Sequence, residues 1–141
     1  MAIYISGPNR DPLSHDVVEW ILKDTHPYTA VINPSKIFYM ADVSKRMPPR
    51  DVLMMRTLLA SECQTIVLIP GWEKSYKSCC EVQSYILSHE IEGNLHVEEL
   101  LSDLKTGKSQ LHSLIVGDDP VHINALKETC RKRIRRHFKK L

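Results

Sequence analysis

One unbroken run of β-branched and aliphatic residues, Thr65-Ile66-Val67-Leu68-Ile69, is followed at once by Pro70-Gly71-Trp72. A continuous run of this kind is typical of a central parallel strand that is covered on both faces. The Pro-Gly pair then ends the strand in a loop. Helical patterns lie on each side of it, from Pro48 to about Cys63 and from Ser78 to His89. The stretch therefore predicts the middle of a helix–strand–helix unit.

The same alternation extends towards the start of the chain. Ala2 to Ser6 and Ala30 to Ile32 have the composition of short strands. A helical pattern from about His15 to Asp24, with Ser14 as its predicted cap, separates them. Strand and helix in this order predict an α/β protein with a small parallel sheet, right-handed crossovers and helices on both faces.

Other segments carry weaker patterns. The helix that begins near Pro48 is predicted to bury one apolar stripe. That stripe consists of Val52, Met55, Leu58 and Leu59. After residue 90, Leu95 and Val97 indicate a strand, but Val97 to Leu104 also fits a short acidic helix. Leu111 to Val116 is predicted as an edge strand.

Length and composition restrict the class of protein. The chain has 141 residues, of which 43% are hydrophobic and 26% charged, as expected for one globular domain. The longest apolar run is far too short to cross a bilayer. Membrane-spanning, collagen-like and disordered classes are therefore excluded. The first residues lack the regions of a signal peptide, so we expect a cytoplasmic protein.

The charges are unevenly distributed. Residues 127–141 hold eight basic side chains and one acid, a net charge of +7, which leaves −5 on residues 1–126. We predict a domain over residues 1–118 and a basic amphipathic helix over residues 119–141. The helix has an apolar stripe of Ile123, Leu126, Cys130, Ile134 and Phe138. The stripe predicts docking on the same globule or on another subunit. Nucleic-acid contact through the basic residues is an alternative that we do not favour, and the stripe has no tryptophan for a membrane surface.

The cysteine and histidine spacings predict no metal site. The four cysteines form no CxxC pair, and the seven histidines form no HxH or HxxxH pair. We expect reduced thiols.

The chemistry is expected in three loops. In open α/β sheets, ligands bind beyond the carboxyl ends of the strands, which here means Ser6 to Pro12, Asn33 to Ile37 and Pro70 to Ser78. The candidate ligand-binding residues are Ser6, Gly7, Pro8, Asn33, Pro34, Gly71, Trp72, Ser75 and Ser78. The helix after the third loop offers N–H groups to an anion such as phosphate. Glu81 lies about one turn inside that helix.

The chain resembles the nucleoside 2-deoxyribosyltransferase-like superfamily, and most of all its small phage-associated branch of undefined function. The resemblance covers residues 2 to about 90 and lies in three segments. These are Ile3-Tyr4-Ile5-Ser6-Gly7-Pro8, Val31-Ile32-Asn33-Pro34, and Ile66 to Glu81 with its pattern Pro70-Gly71-Trp72-Glu73-x-Ser75-x5-Glu81.

The resemblance implies a Rossmann-like or flavodoxin-like sheet that binds a nucleoside or nucleotide, with no cofactor. It implies that Glu81 is the catalytic nucleophile at the anomeric carbon, that Tyr4 orients it, and that Ser75 contacts a 5′-phosphate. A carboxylate can trap an oxocarbenium-like sugar as a covalent ester, as in retaining glycosidases. The resemblance also implies a homo-oligomer in which a neighbouring subunit completes the site.

The chain departs from the superfamily pattern at three places. Aspartates are usual in the helix before the central strand and just before that strand, where this chain has Thr57 and Gln64. A small Gly-Ala pair is usual between the serine and the glutamate, where this chain has bulkier residues in Lys77-Ser78-Cys79-Cys80. Because a general acid typically contributes about 10²–10⁴ in rate, turnover is in question.

Two functions follow from these residues. The first is a nucleotide-binding protein without catalysis, which sequesters a signalling nucleotide in a phage counter-defence role. The second is an N-glycosidase or deoxyribosyltransferase that cleaves deoxynucleosides or their 5′-monophosphates. Loss of the two aspartates favours the first, and retention of Tyr4, Ser75 and Glu81 favours the second.

Overall fold

The computed structural model describes residues 2–8, 12–38, 46–90, 95–100, 110–115 and 120–140. Its strands are β1 (Ala2–Ser6), β2 (Ala30–Ile32), β3 (Thr65–Leu68), β4 (His96–Leu100) and β5 (Leu111–Ile115). Its helices are α1 (Pro12–Thr25), α2 (Pro34–Phe38), α3 (Pro49–Glu62), α4 (Tyr76–Glu90) and α5 (Pro120–Lys139), and a 3₁₀ turn spans Trp72–Lys74.

The strands form one sheet in the order β2-β1-β3-β4-β5. The first four strands are parallel, as predicted, and β5 pairs antiparallel with β4. Ten residues separate Leu100 from Leu111, whereas a parallel connection needs about a dozen or more. The short connection therefore accounts for the reversed edge strand. The α/β sheet has the flavodoxin-like strand order.

Helices cover both faces of the sheet, as predicted. Alternate residues of β1 point to opposite sides: Ile3 and Ile5 pack against α1 through Val18 and Leu22. Tyr4 lies in the other core, which α3, α4 and α5 cover together. Because β3 and β4 are parallel neighbours, α4 returns antiparallel to them. Its first turn therefore lies at the carboxyl edge of the sheet.

Several local predictions were wrong. Helix α1 begins at Pro12, so Ser14 lies inside it and is not its cap. Residues 96–100 form β4, which excludes the short acidic helix predicted from Val97. In α3, Val52 is buried and Leu59 packs against the core, as predicted, but Met55 and Leu58 are exposed. The other residues buried on this helix are Arg56 and Ala60. An α-helix places residues four apart on one face, so the true buried face runs through a charged residue.

The basic helix α5 docks on the domain. Ile123, Leu126 and Cys130 are buried against the same core as α4. Ile134 is partly buried, but Phe138, the last residue of the predicted stripe, is 57% exposed. Its ring still meets that of Tyr76 on α4 edge-on, with centroids 6.0 Å apart, so the predicted stripe contacts the domain up to its last residue. None of the helices in the described part of the chain combines the length and apolar character that a membrane crossing requires.

Candidate functional site

Tyr4 and Glu81 lie opposite each other between the sheet and α4. Tyr4 is in the middle of β1, where it pairs with Ile32 on one side and Ile66 on the other. Glu81 is in the second turn of α4. Both side chains are fully buried. The Tyr4 hydroxyl interacts with the carboxyl group of Glu81 and lowers its pKa, which stabilises the charged form. The structure therefore brings the two predicted catalytic residues together.

Arg56 is the residue of this site that the sequence did not single out. It projects from the buried face of α3, and its Nη2 donates a hydrogen bond to Glu81 Oε1. Neither side chain is exposed to solvent. The signal was present in the sequence, because Val52, Arg56 and Ala60 recur every four residues. The predicted stripe on this helix contained only apolar residues, so it left Arg56 out.

Burial governs the protonation of this group of residues. It raises the pKa of Glu81 to about 7, against the opposing charge of Arg56 and the Tyr4 hydroxyl. Burial, together with the charge of Glu81, also raises the pKa of Tyr4 well above its usual value. At the rim, burial and the nearby Arg56 lower the pKa of Lys77. Glu81 is therefore poised near neutral pH to accept or to donate a proton.

Four buried polar atoms in this region have no hydrogen bond of full geometry within the described residues. They are Glu81 Oε2, Tyr4 Oη, Ser6 Oγ and Ser78 Oγ. Ser6 is two residues beyond Tyr4 on the same face of β1, and Ser78 is about one turn before Glu81 on α4. Both serines therefore lie nearer to the carboxyl edge. Buried polar atoms generally find partners, so these four are suited to a polar ligand that enters from that edge.

The first and third loops meet above these groups. A Cβ at Gly7 would lie 2.7 Å from Ile69 Cβ, so only glycine fits there. Gly71 has a φ of +90°, and a Cβ there would be 3.7 Å from Pro8 Cγ. The structure therefore places Gly7, Pro8 and Gly71 together where β1 and β3 end. In a flavodoxin-like sheet this is the topological switch point, where ligands bind.

Ser75 and Trp72 have structural roles in the third loop. The Ser75 hydroxyl accepts the N–H of Ser78 at 3.3 Å, and its carbonyl accepts the N–H of Cys79 at 3.0 Å. Ser75 is therefore the cap of α4, next to the helix N–H groups that a phosphate would use. Trp72 is buried in the core as a packing residue.

Asn33, at the start of the second predicted loop, contacts α1 and not the residues around Glu81. The Asn33 amide donates to Asp16 Oδ1 at 3.0 Å and to Glu19 Oε2 at 2.9 Å, both on α1. Its Oδ1 accepts from the backbone and hydroxyl of Ser35. Since α1 covers the opposite face of the sheet from Glu81, the structure does not bring Asn33 to that carboxylate. Pro34 is buried at the start of α2.

Thr57 and Gln64, which stand where the superfamily pattern has aspartates, have local partners. The Thr57 hydroxyl donates to the Met54 carbonyl at 2.8 Å. Gln64 Oε1 accepts the N–H of Ala2 at 2.6 Å, at the amino end of β1 and so at the edge of the sheet away from the loops. Gln64 therefore ties strands together and does not reach the ligand side.

Of the four cysteines, Cys80 lies near Glu81: burial raises the pKa of Cys80 to about 11, and the charges of Glu81 and Arg56 act on it as well. All four are free, and the thiol of Cys79 interacts with that of Cys130 on α5, which lowers the pKa of Cys79. Within the residues described, no group of three histidine, cysteine or acidic side chains is placed to hold a metal ion.

Comparison of the chain with protein-family models, with curated proteins and with solved structures gives no significant match. The function is therefore argued from the geometry around Glu81.

Proposed function

We propose that the protein binds a nucleoside or nucleotide at the carboxyl ends of β1 and β3. One observation carries the proposal: Arg56 holds Glu81 Oε1, while Glu81 Oε2, Ser6 Oγ and Ser78 Oγ are buried without a hydrogen bond of full geometry in the described part of the chain. A carboxylate with one oxygen fixed and the other available is a rigid acceptor for sugar hydroxyls.

The residues at the carboxyl edge near Glu81 fit the rest of such a ligand. The N-terminus of α4, capped by Ser75, supplies N–H groups and a positive helix end for a phosphate. Lys77, in the first turn of α4, adds a cation at the rim. The Gly7 and Gly71 backbones allow close approach of a ligand to the loops.

Binding without turnover is the favoured form of this function. The charged groups that act on Glu81 within the described residues are the cations Arg56 and Lys77. Neither is the carboxylic acid that would protonate a departing base at neutral pH. A protein that binds a nucleotide and keeps it intact sequesters it, which agrees with the predicted counter-defence role.

N-glycosidase chemistry is the second candidate, favoured by the available Oε2. Glu81 would attack the anomeric carbon as the bond to the base breaks, and the base would leave with the electron pair and take up a proton. Water would then hydrolyse the glycosyl ester.

The experiment measures binding and base release in parallel. Isothermal titration with 2′-deoxynucleosides and their 5′-monophosphates should give saturable binding for at least one of them. Chromatography of the same mixtures should show no free base. Release of base that Glu81→Gln abolishes would establish the glycosidase instead.

Two variants distinguish an effect on ligand binding from an effect on the stability of the protein. Ser78→Ala should weaken binding, because it removes a buried hydroxyl from the ligand side. Ser84→Ala, a serine on the same helix outside this group, should leave binding unchanged. Absence of binding by the folded protein at millimolar ligand would refute the proposal.

A further inference from the structure

The solvent face of α5 and the residue that follows it carry a concentrated row of cations. They are Lys132, Arg135, Arg136, Lys139 and Lys140, all exposed. We call this set the outer basic stripe. At 3.6 residues per turn, its members fall within about 140° of the helix circumference, on the side away from the buried Ile123 and Cys130. The outer basic stripe is therefore exposed to solvent while the helix is docked on the domain.

The other cations of α5 are already engaged. Lys127 Nζ contacts Glu90 Oε1 at 2.6 Å, and Arg131 Nη1 contacts Glu128 Oε2 at 3.1 Å. Arg133 Nε donates to the Lys74 carbonyl at 2.8 Å. By contrast, no member of the outer basic stripe has an ion pair or side-chain hydrogen bond within the part of the chain that the structure describes. Its charge is not neutralised by the domain.

The stripe is held in a fixed place. The ring of His137 stacks on Tyr76 with centroids 3.8 Å apart and an interplanar angle of 6°. Together with the Arg133 contact, this stack ties the last turns of α5 to the start of α4. A preorganised surface loses little conformational entropy when it binds.

We propose that the outer basic stripe binds the phosphate backbone of a nucleic acid. The stripe extends for about 12 Å along the helix axis, and the same length of duplex DNA carries about seven phosphates. Five cations without acidic partners match that charge density. Phe138, 57% exposed beside the stripe, offers a ring on which an unpaired base can stack.

An anionic membrane is a poorer fit to this surface. Surface-bound helices insert an apolar face between lipid headgroups. Ile123, Leu126 and Cys130 of α5 are instead buried against the core that α4 shares, and of the apolar stripe Phe138 is the residue that is mostly exposed. The binding is therefore expected to be electrostatic and independent of base sequence.

The test is fluorescence anisotropy with short labelled single-stranded and duplex DNA. Affinity should fall as salt rises from about 50 to 200 mM, with a log–log slope of about −3 to −4. Arg136→Gln with Lys139→Gln should reduce the slope by about 2 and weaken binding about tenfold or more at 100 mM salt. The charge-matched control, Arg46→Gln with Arg50→Gln, should change neither value.

Three results would overturn the proposal. The first is no DNA binding at 50 mM salt by protein with an unchanged circular dichroism spectrum. The second is equal weakening by the control pair, which would show an effect of net charge alone. The third is tighter binding to vesicles of anionic phospholipid, or to polyglutamate, than to DNA.

Discussion

Arg56 and Glu81 form an ion pair in which neither side chain is exposed to solvent, and it joins α3 to α4 beneath the carboxyl edge of the sheet. Because Arg56 donates to only one carboxylate oxygen, Oε1, the ion pair fixes the position of Glu81 and leaves Oε2 free of the arginine. The same contact thus connects the stability of the domain with the chemistry proposed for it.

Removal of the arginine should be costly. Arg56→Leu leaves a buried carboxyl group without its cation, and loss of one partner of a buried pair typically costs about 3–5 kcal/mol. Urea unfolding measures this cost. The double variant Arg56→Leu with Glu81→Leu should recover much of the loss, since apolar residues can replace a buried pair at little cost. Equal destabilisation by the single and double variants would contradict the coupling.

Stability should depend on pH through Glu81. Its pKa is about 7 in the folded protein and 4.5 as a free group, so the folded state binds more protons between these values. Stability is therefore highest below about pH 4.5 as far as this group is concerned, and falls as pH rises towards 7, by up to about 3 kcal/mol. Unfolding of the wild type and of Glu81→Gln across this range should differ in slope. Parallel curves would refute the assignment.

Glu19 should have the opposite effect on folding stability, which it should lower as the pH falls. Although burial opposes it, hydrogen bonds from Lys36, Asn33 and Lys23 lower the pKa of Glu19 to about 2. The stability that this group contributes is present above about pH 4.5 and is lost as pH falls towards 2. Glu19→Gln should therefore flatten the acid limb of the unfolding profile and leave the limb near pH 7 unchanged.

Asn33 provides a test of which loops form the site. Asn33→Ala removes the hydrogen bonds to Asp16 and Glu19 and the cap contact with Ser35. We expect a loss of about 1–2 kcal/mol in urea unfolding. Nucleotide affinity should stay as in the wild type, because Asn33 engages the α1 side of the sheet. A loss of nucleotide affinity without the loss of stability would show that Asn33 belongs to the ligand site.

Gly7 should tolerate no side chain. In Gly7→Ala the new Cβ would stand 2.7 Å from Ile69 Cβ, and an atom attached directly to the backbone cannot move aside. Overpacking of this kind costs about 1–3 kcal/mol. Gly71→Asn should be milder in thermal unfolding, since asparagine tolerates positive φ and its Cβ would make only an ordinary contact, 3.7 Å from Pro8 Cγ.

Local patterns in the chain were enough to predict the α/β class, the central strand at Thr65–Leu68 and the helix that carries Glu81. These features depend on runs of neighbouring residues, whose periodicity a sequence displays directly. The pairing of Tyr4 with Glu81 was expected only from the resemblance to a known superfamily, and the structure places these two side chains together.

The ion pair of Arg56 with Glu81, the engagement of Asn33 with α1 and the reversed β5 were not predicted. The first two depend on which face of an element meets which neighbour, and residues far apart in the chain determine this together. The direction of β5 follows instead from the short connection after β4. Arg56 is the clearest example: in the sequence it interrupts an apolar helix, and only the carboxylate that lies 25 positions later, packed against the same side of the sheet, makes its burial favourable.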